Sequence, residues 1–209
     1  FAGHGTKALR WLREAADTHG LALATEVMAV SHLESVAKVA DLLQVGSRNM
    51  QNYALLHAIG STGKPVLLKR GAAATVDEWL HAGEHLLASG AGHVVFCERG
   101  VRGVGTETRN LLDLGAVALL KHVHQQTVVV DPSHACGRRD LIIPLALAAR
   151  AAGADAVMVE CHPQPSDALS DGAQALDAAA MTHLALAFHN AALSAVADRQ
   201  TTTIGSAYA

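Results

Sequence analysis

The chain has 209 residues, of which 50% are hydrophobic and only 3% aromatic, so it can bury a core built mainly from Ala, Val and Leu. Its formal net charge of -3 is spread along the sequence, without the basic stripe that binds nucleic acid. No apolar stretch reaches the roughly 18 residues that span a bilayer, and no signal sequence is visible. These properties predict a soluble, cytoplasmic protein without nucleic-acid or membrane partners.

Short apolar runs alternate along the chain with longer segments of helical periodicity. The predicted strands are Ala22 to Glu26, Leu42 to Val45, Val66 to Lys69, Val94 to Cys97, Thr127 to Val130 and Ala156 to Glu160. The predicted helices are Ala8 to His19, Ser31 to Ala40, Met50 to Ile59, Val76 to Ser89, Thr106 to Leu112 and Leu141 to Ala152. Strands that alternate with helices indicate an α/β fold with a parallel sheet.

Charged residues follow the predicted strands rather than precede them, as in the catalytic face of a (β/α)8 TIM barrel. No Gly-x-Gly-x-x-Gly turn follows a strand, so the pattern favours a barrel over a dinucleotide-binding sheet. About six β-α units can be counted, which predicts a partial barrel over residues 1–198 that begins as if cut from something longer. Residues 199–209 lack periodicity, and we expect a disordered tail there.

Three cationic residues lie just after three of the apolar runs: Arg48, Lys69 and Arg99. Arg48 stands at a strand-to-helix junction, where a guanidinium and helix N–H groups can meet one anion. Taken alone, Arg48 could equally form a surface ion pair. Together, the three cations predict a clamp for a phosphorylated or carboxylated substrate.

A histidine and two carboxylates downstream form a candidate metal site: His134, within a Val-Asp-Pro-Ser-His turn, Glu160 and Asp171. Such mixed nitrogen and oxygen donors suit manganese, iron, cobalt or zinc. The alternative is a satisfied buried histidine beside two solvated carboxylates. His162, two residues beyond Glu160, lies on the same side of an extended strand and could support the site or carry a proton.

Three cysteines, Cys97, Cys136 and Cys161, are odd in number and far apart, which fits neither a disulfide framework nor a structural zinc site. We expect reduced, structural thiols. The alternative is that Cys136 or Cys161 lies near the mouth of the active site.

Five ordered strings carry a specific resemblance: LLQVGSRNMQN, KPVLLKRG, CERG, VDPSHACGRR and VECHPQPSDALSD. In this order they resemble 3-deoxy-D-arabino-heptulosonate 7-phosphate (DAHP) synthase of the type I beta class, over Phe1 to about Asp198. The resemblance implies a (β/α)8 barrel that condenses phosphoenolpyruvate with erythrose 4-phosphate, the first step of the shikimate pathway of aromatic amino-acid biosynthesis, with a divalent metal ion as cofactor. We also expect a homo-oligomer.

Residue by residue, the resemblance assigns Arg48, Lys69 and Arg99 to phosphoenolpyruvate. It assigns His134, Glu160 and Asp171 to the metal, so Lys69, His134 and Glu160 are the expected catalytic residues. Three further residues are expected to position water or the second substrate: Glu26, Asp131 and Arg70. In the family, a metal-binding cysteine and a catalytic lysine come from earlier segments, which would fall before Phe1.

The sequence is also compatible with two other functional hypotheses. 3-Deoxy-D-manno-octulosonate 8-phosphate synthase resembles this family in fold and in phosphoenolpyruvate chemistry, although the Asp-Pro-Ser-His, KRG and CERG strings favour the heptulosonate enzyme. A partial barrel without catalytic activity could instead retain the anion pocket and bind phosphoenolpyruvate or a partner protein.

Overall fold

A computed structural model describes the backbone of residues 4–205 and the side chains of residues 4–191. The chain divides into two compact units, of which the first ends at Cys97 and the second begins at Glu98.

The first unit carries a parallel sheet whose strands follow the chain order. The strands are β1 (Ala24–Glu26), β2 (Leu42–Val45), β3 (Pro65–Lys69) and β4 (His93–Glu98), of which β4 runs into the first residue of the second unit. The helices are α1 (Thr6–His19), α2 (Val30–Ala37), α3 (Tyr53–Gly60) and α4 (Val76–Ala88), with a 3-10 turn at Ser47–Asn49. Helix α1 precedes β1, and α2, α3 and α4 each connect one parallel strand to the next, as the alternating sequence pattern predicts.

Helix α4 shows how the first unit builds a core with few aromatic side chains. A capping box starts the helix, because the Thr75 side chain accepts from the Glu78 N–H and the Glu78 carboxylate accepts from the Thr75 N–H. Trp79 is fully buried, donates its indole N–H to the Leu68 carbonyl at 3.1 Å and packs edge-on against Phe96. This packing fixes α4 against β3 and β4, and with them the end of β3 that carries Lys69.

The second unit is less regular. It contains β5 (Thr127–Val130) and β6 (Ala156–Val157), which pair in parallel. Its helices are α5 (Leu114–Ala118, continued by a π turn at Leu119–Val123), α6 (Pro132–Cys136), α7 (Ile142–Ala151) and α8 (Ala178–Gly205), with 3-10 turns at Arg139–Leu141 and Pro165–Asp167. Its core packs Cys136 and Ile142 against Leu176 and Leu184, so α6, α7 and α8 share one apolar contact.

All six predicted strands are present, but β6 is shorter than expected. It ends at Val157, although the sequence predicted a strand to Glu160. The Glu160 N–H donates to the Ser133 hydroxyl, and the Glu160 carbonyl accepts from the Leu176 N–H. Side-chain and loop partners thus replace the strand ladder at this position.

The predicted helix at Thr106 to Leu112 is wrong. Backbone N–H groups of this segment donate to distant carbonyls: Arg109 to Cys136, Asn110 to Ala135, and Leu111 to Val101. A helix would need those donors for itself, so tertiary contacts override the local preference. The next helix begins at Leu114, where the Asp113 side chain accepts from the Ala116 N–H.

Helix α8 runs to Gly205, so the first part of the expected tail is helical and residues 206–209 lie outside the described range. The boundary at residue 198 stays a prediction. Within residues 4–205, no helix combines the length and the hydropathy that a membrane span requires.

Candidate metal centre

A single helical turn, α6, presents His134. Asp131 caps the turn by accepting the His134 N–H at 2.9 Å, Pro132 occupies the first helical position, and Gly137 ends the turn with a left-handed φ of 69°. The sequence Asp-Pro-Ser-His-Ala-Cys-Gly therefore favours this turn locally. They hold His134 at the end of β5.

The Asp131 carboxylate also orients the imidazole ring. Asp131 is fully buried, and its Oδ2 lies 2.8 Å from His134 Nδ1. An ionised carboxylate can only accept, so this contact places the ring proton on Nδ1 and leaves the lone pair of Nε2 for a cation. Asp131, expected to position water or substrate, therefore contacts His134 directly; the substrate role stays a prediction.

Glu160 reaches the same place from the segment after β6. Its backbone N–H donates to the buried Ser133 hydroxyl at 3.0 Å, which ties it to α6. Glu160 Oε1 lies 3.5 Å from His134 Nε2. The carboxylate thus faces the ring nitrogen of His134 that does not contact Asp131.

Asp171 completes the group from a loop. It adopts a left-handed backbone with φ of 56°, a conformation that is uncommon for residues other than glycine. Its carboxylate lies 3.7 Å from an Arg109 guanidinium nitrogen. One donor atom from each of His134, Glu160 and Asp171 lies within 4.8 Å of the other two.

These three donors fit a divalent cation. Ligand bonds of about 2.0–2.2 Å from one ion put two ligand atoms up to roughly 4.4 Å apart, close to the observed spread. One imidazole and two carboxylates are the donor set that the sequence singled out. The structure brings all three together; their role as ligands stays a prediction.

His162 is held differently. Its ring Nδ1 accepts the backbone N–H of Gln164 at 3.0 Å, and the backbone N–H of His162 donates to the Leu176 carbonyl. These bonds shape the turn after Glu160. In the described part of the chain, His162 is not a member of the three-donor group.

The expected anion clamp divides between the two units. In the first unit, Lys69 ends β3 and is only 7% exposed, whereas Arg48 is exposed in the 3-10 turn after β2. The neighbouring β2 and β3 place these residues at the same edge of the sheet, since Val45 pairs with Leu68 and Ser47 donates to the Arg70 carbonyl. The structure therefore brings two of the three expected cations to one edge.

Arg70 and Glu26 also belong to the first unit. The Arg70 side chain is buried, donates Nε to the Ala74 carbonyl at 3.1 Å and stacks over Trp79, contacts that shape the loop after β3. Glu26 is exposed at the end of β1 and accepts from the Gln44 side chain. Their expected roles toward a substrate stay predictions.

Arg99 lies in the second unit, half-buried directly after β4. The preceding Glu98 is fully buried and accepts the Gly100 N–H at 2.7 Å. The Glu98 carbonyl accepts the Asp131 N–H. This hydrogen bond joins the residue before Arg99 to the residue that caps the turn with His134.

None of the three cysteines forms a disulfide bond. Burial raises the pKa of Cys136, which donates to the Arg138 carbonyl, so this thiol stays protonated at neutral pH. Cys97 is buried and Cys161 is exposed.

Sequence reasoning missed three contributors to the metal centre. Ser133 holds the Glu160 backbone, the Asn110 side chain donates to the His134 carbonyl at 3.0 Å, and Arg109 faces Asp171. Ser133 lies inside the Asp-Pro-Ser-His turn and could have been noticed there. Asn110 and Arg109 lie in the segment wrongly predicted as helical, where nothing local signals a distant partner.

Comparison with known proteins adds a second kind of observation. Residues 1–193 match the DAHP synthetase I family. The chain belongs to that family. It is 49% identical over 177 residues to phospho-2-dehydro-3-deoxyheptonate aldolase of Thermotoga maritima, an alignment that covers 85% of this chain and 52% of that protein.

A more distant relative is 2-dehydro-3-deoxyphosphooctonate aldolase of Dichelobacter nodosus. It is 30% identical over 197 residues, which cover 88% of this chain and 70% of the relative. The heptulosonate resemblance is thus the stronger of the two. The chain spans about half the length of the Thermotoga relative that it matches.

Solved structures agree with the fold. The crystal structure of phospho-2-dehydro-3-deoxyheptonate aldolase (DAHP synthase) from Thermotoga maritima has a TM-score of 0.91 and 45% identity, covering 93% of this chain and 57% of that one. A truncated form of 3-deoxy-D-arabino-heptulosonate 7-phosphate synthase from Thermotoga maritima has a TM-score of 0.87 and 44% identity, covering 95% and 74%. The predicted fold class, six β-α units of a (β/α)8 barrel, is confirmed.

Proposed function

We propose that the full-length protein containing this chain is a metal-dependent DAHP synthase. It condenses phosphoenolpyruvate with erythrose 4-phosphate to give 3-deoxy-D-arabino-heptulosonate 7-phosphate and inorganic phosphate. The observation that carries the proposal is the group of His134, Glu160 and Asp171 donors within 4.8 Å of one another, in a chain 49% identical to a DAHP aldolase.

The bond changes define what the site must do. Carbon 3 of phosphoenolpyruvate bonds to the aldehyde carbon of erythrose 4-phosphate, while water adds to carbon 2 and the carbon–oxygen bond to phosphate breaks. The aldehyde oxygen gains a proton, and phosphate leaves with the enol oxygen. The enzyme must therefore neutralise an anionic donor and activate a carbonyl.

The cationic residues serve the first task. Lys69 is held on a rigid strand and is nearly buried, so its charge is poorly screened and acts strongly on a bound phosphate or carboxylate. Arg48 and Arg99 supply the fork geometry that matches these oxyanions. Arg70, by its contacts with Ala74 and Trp79, keeps the loop after Lys69 in place.

The metal centre serves the second task. His134 through Nε2, Glu160 and Asp171 would hold the cation, and a bound divalent ion would supply Lewis-acid polarisation of the aldehyde carbonyl. Asp131 fixes the His134 ring and Ser133 fixes the Glu160 backbone, so the donors keep their spacing when substrate enters. Glu26, Asp131 and Arg70 are the proposed contacts for water or the second substrate.

The fitting cations are manganese, iron, cobalt and zinc, for which imidazole and carboxylate are suitable donors. We place the enzyme in the cytoplasm as a homo-oligomer, with residues 1–198 as its part of the catalytic barrel. Phosphoenolpyruvate and erythrose 4-phosphate are its proposed small-molecule partners.

The test is product formation by the full-length protein with phosphoenolpyruvate and either erythrose 4-phosphate or arabinose 5-phosphate, with and without manganese and a chelator. We expect metal-dependent turnover with erythrose 4-phosphate only. Turnover with arabinose 5-phosphate alone assigns the octulosonate reaction instead. Binding of phosphoenolpyruvate without turnover of either sugar leaves a binding protein and overturns the catalytic proposal.

A further inference from the structure

One arginine outside the metal group, Arg139, binds the loop that carries Asp171. Its guanidinium Nη2 donates to the Gly172 carbonyl at 2.7 Å and its Nε donates to the Ala175 carbonyl. Its backbone N–H donates to the Ala173 carbonyl at 3.2 Å. A single residue thus satisfies three carbonyls of the turn that directly follows Asp171.

That loop needs an external support. Asp171 has a positive φ, which a residue with a side chain keeps only when its surroundings hold it there. The loop continues to Leu176, whose N–H donates to the Glu160 carbonyl at 2.9 Å. Arg139 on one side and Glu160 on the other therefore fix the backbone on which the Asp171 carboxylate is carried.

Space around the loop is also restricted. A Cβ atom on Gly172 would lie 2.5 Å from the Pro165 carbonyl oxygen, too close for any side chain. The loop therefore packs against the turn at Pro165–Asp167 on one side while Arg139 binds its carbonyls. The loop therefore has no room to move toward Pro165.

Arg139 is attached to the element that carries another ligand. Helix α6, with His134, ends at Cys136, and Arg139 begins the next short turn. The adjacent Arg138 contacts different groups, since its guanidinium pairs with Asp140 at 2.9 and 2.7 Å. Of these two neighbouring arginines, Arg139 is the one that hydrogen-bonds the turn after Asp171.

We propose that Arg139 is a positioning residue of the metal centre: it sets where the Asp171 carboxylate stands relative to His134 and Glu160, without contacting the cation. The inference rests on the proposed metal site. The two guanidinium bonds run from two nitrogens of one planar group to two carbonyls, an arrangement that a lysine ammonium with its single nitrogen cannot reproduce. Arg139→Lys therefore keeps the charge and loses the geometry.

The experiment measures Mn²⁺ affinity by isothermal titration calorimetry in the full-length protein. We expect Arg139→Lys to weaken Mn²⁺ binding by roughly 10- to 100-fold, the usual effect of losing a partner that orients a ligand. Arg138→Lys is the matched control and should change it less than about twofold, since exposed ion pairs contribute little. Thermal unfolding with chelator present separates a loss of fold from a loss of metal affinity.

A double-mutant cycle with Asp171→Asn decides whether Arg139 acts through Asp171. If it does, Arg139→Lys adds little to the loss already caused by Asp171→Asn. Wild-type Mn²⁺ affinity in Arg139→Lys, or the same loss in both backgrounds, overturns the inference. Wild-type affinity in Asp171→Asn overturns the proposed metal site itself.

A milder variant covers the case in which Arg139→Lys does not fold. Arg139→Gln keeps one donor nitrogen toward the loop and carries no charge, so we again expect a loss of Mn²⁺ affinity that depends on Asp171. An Arg139→Gln protein that folds and binds Mn²⁺ like the wild type contradicts the inference.

Discussion

The two units support their functional side chains by different means. In the first unit, Lys69 is the last residue of a five-residue strand with a full parallel register, and Trp79 packs behind that strand. In the second unit, the three candidate metal donors lie on a one-turn helix, on the segment after a two-residue strand and on a loop. Regular backbone positions Lys69 in the first unit, whereas side-chain hydrogen bonds position the candidate ligands of the second.

This contrast has a physical origin. A strand fixes its last residue through ladder hydrogen bonds that any sequence can make, so the side chain is free to vary. A loop lacks such a ladder, and its carbonyls must be satisfied by particular side chains. Substitutions beside the candidate donors of the second unit should therefore change metal affinity. Substitutions beside Lys69 should mainly change the packing of the first unit.

The largest expected effect is the loss of a metal donor. In His134→Ala, the proposed ligand nitrogen is gone while Glu160 and Asp171 remain, so we expect Mn²⁺ affinity to fall by more than the roughly 10- to 100-fold that an orienting partner costs. DAHP formation should fall with it. Calorimetry with Mn²⁺ and a product assay check both; the exposed His183→Ala is the control. Unchanged Mn²⁺ affinity would remove His134 from the site.

In the first unit the largest effect should come from Lys69→Met. Loss of a nearly buried cation that pairs with substrate costs about 2–5 kcal/mol in binding. We expect a higher KM for phosphoenolpyruvate and unchanged Mn²⁺ affinity. The matched control is Lys64→Met; Lys64 directly precedes the same strand and donates to the Ala40 carbonyl. Equal effects of the two variants on KM would mean that Lys69 acts only through stability.

The two units also differ in how well their structure could be predicted from the sequence. β2 and β5 have the predicted bounds, because their apolar runs are local signals. The turn around His134 was also recognisable, since Asp, Pro and Gly at its ends have strong local preferences. Residue types alone suggested the three donors, and the family resemblance supplied their assignment.

What the sequence could not predict depends on distant partners. Nothing near Arg139 indicates that it donates to carbonyls more than thirty positions away, since any polar loop offers such carbonyls. Nothing within Thr106 to Leu112 indicates that its N–H groups bond residues near Cys136 rather than form a helix. Both failures lie in the second unit, where tertiary hydrogen bonds decide the backbone.

A third prediction tests the orientation of His134. In Asp131→Asn the amide keeps an oxygen for the His134 N–H but turns a donor toward Nδ1, where the carboxylate had accepted. The ring proton should move to Nε2, the atom that faces Glu160. We expect about 10- to 100-fold weaker Mn²⁺ binding. Imidazole ¹⁵N shifts report the tautomer, and an unchanged tautomer with weaker binding would assign Asp131 a different role.

The smallest expected effect concerns two aspartates, one in each unit, that make the same kinds of contact. Asp41 precedes β2 and accepts the Leu23 N–H at 2.7 Å while pairing with Arg13. Asp155 precedes β6 and accepts the Val128 N–H at 2.9 Å while pairing with Lys121. Each carboxylate ties the start of one strand to the preceding strand and to a cation.

The Leu23 N–H, and after it the Arg13 guanidinium, hold the pKa of Asp41 below its usual value. Because the folded-state pKa is depressed, the stabilisation is present above the unfolded value of about 3.9 and is lost as pH falls through the folded value. Asp41→Asn should therefore lower Tm by about 2 °C or less at pH 7, and by less still at pH 3. An equal decrease at both pH values would mean that geometry, not charge, makes the contact.

Asp155→Asn measured beside it completes the comparison between the units. The two variants lose the same kinds of contact, so their effects on Tm at pH 7 should be similar, and neither should alter Mn²⁺ affinity in the second unit by more than about twofold. If Asp155→Asn also weakens Mn²⁺ binding, then β6 transmits strain to Glu160, three residues beyond its end. Strand anchoring and ligand positioning would then be coupled in the second unit, where the contrast between the units treats them as separate.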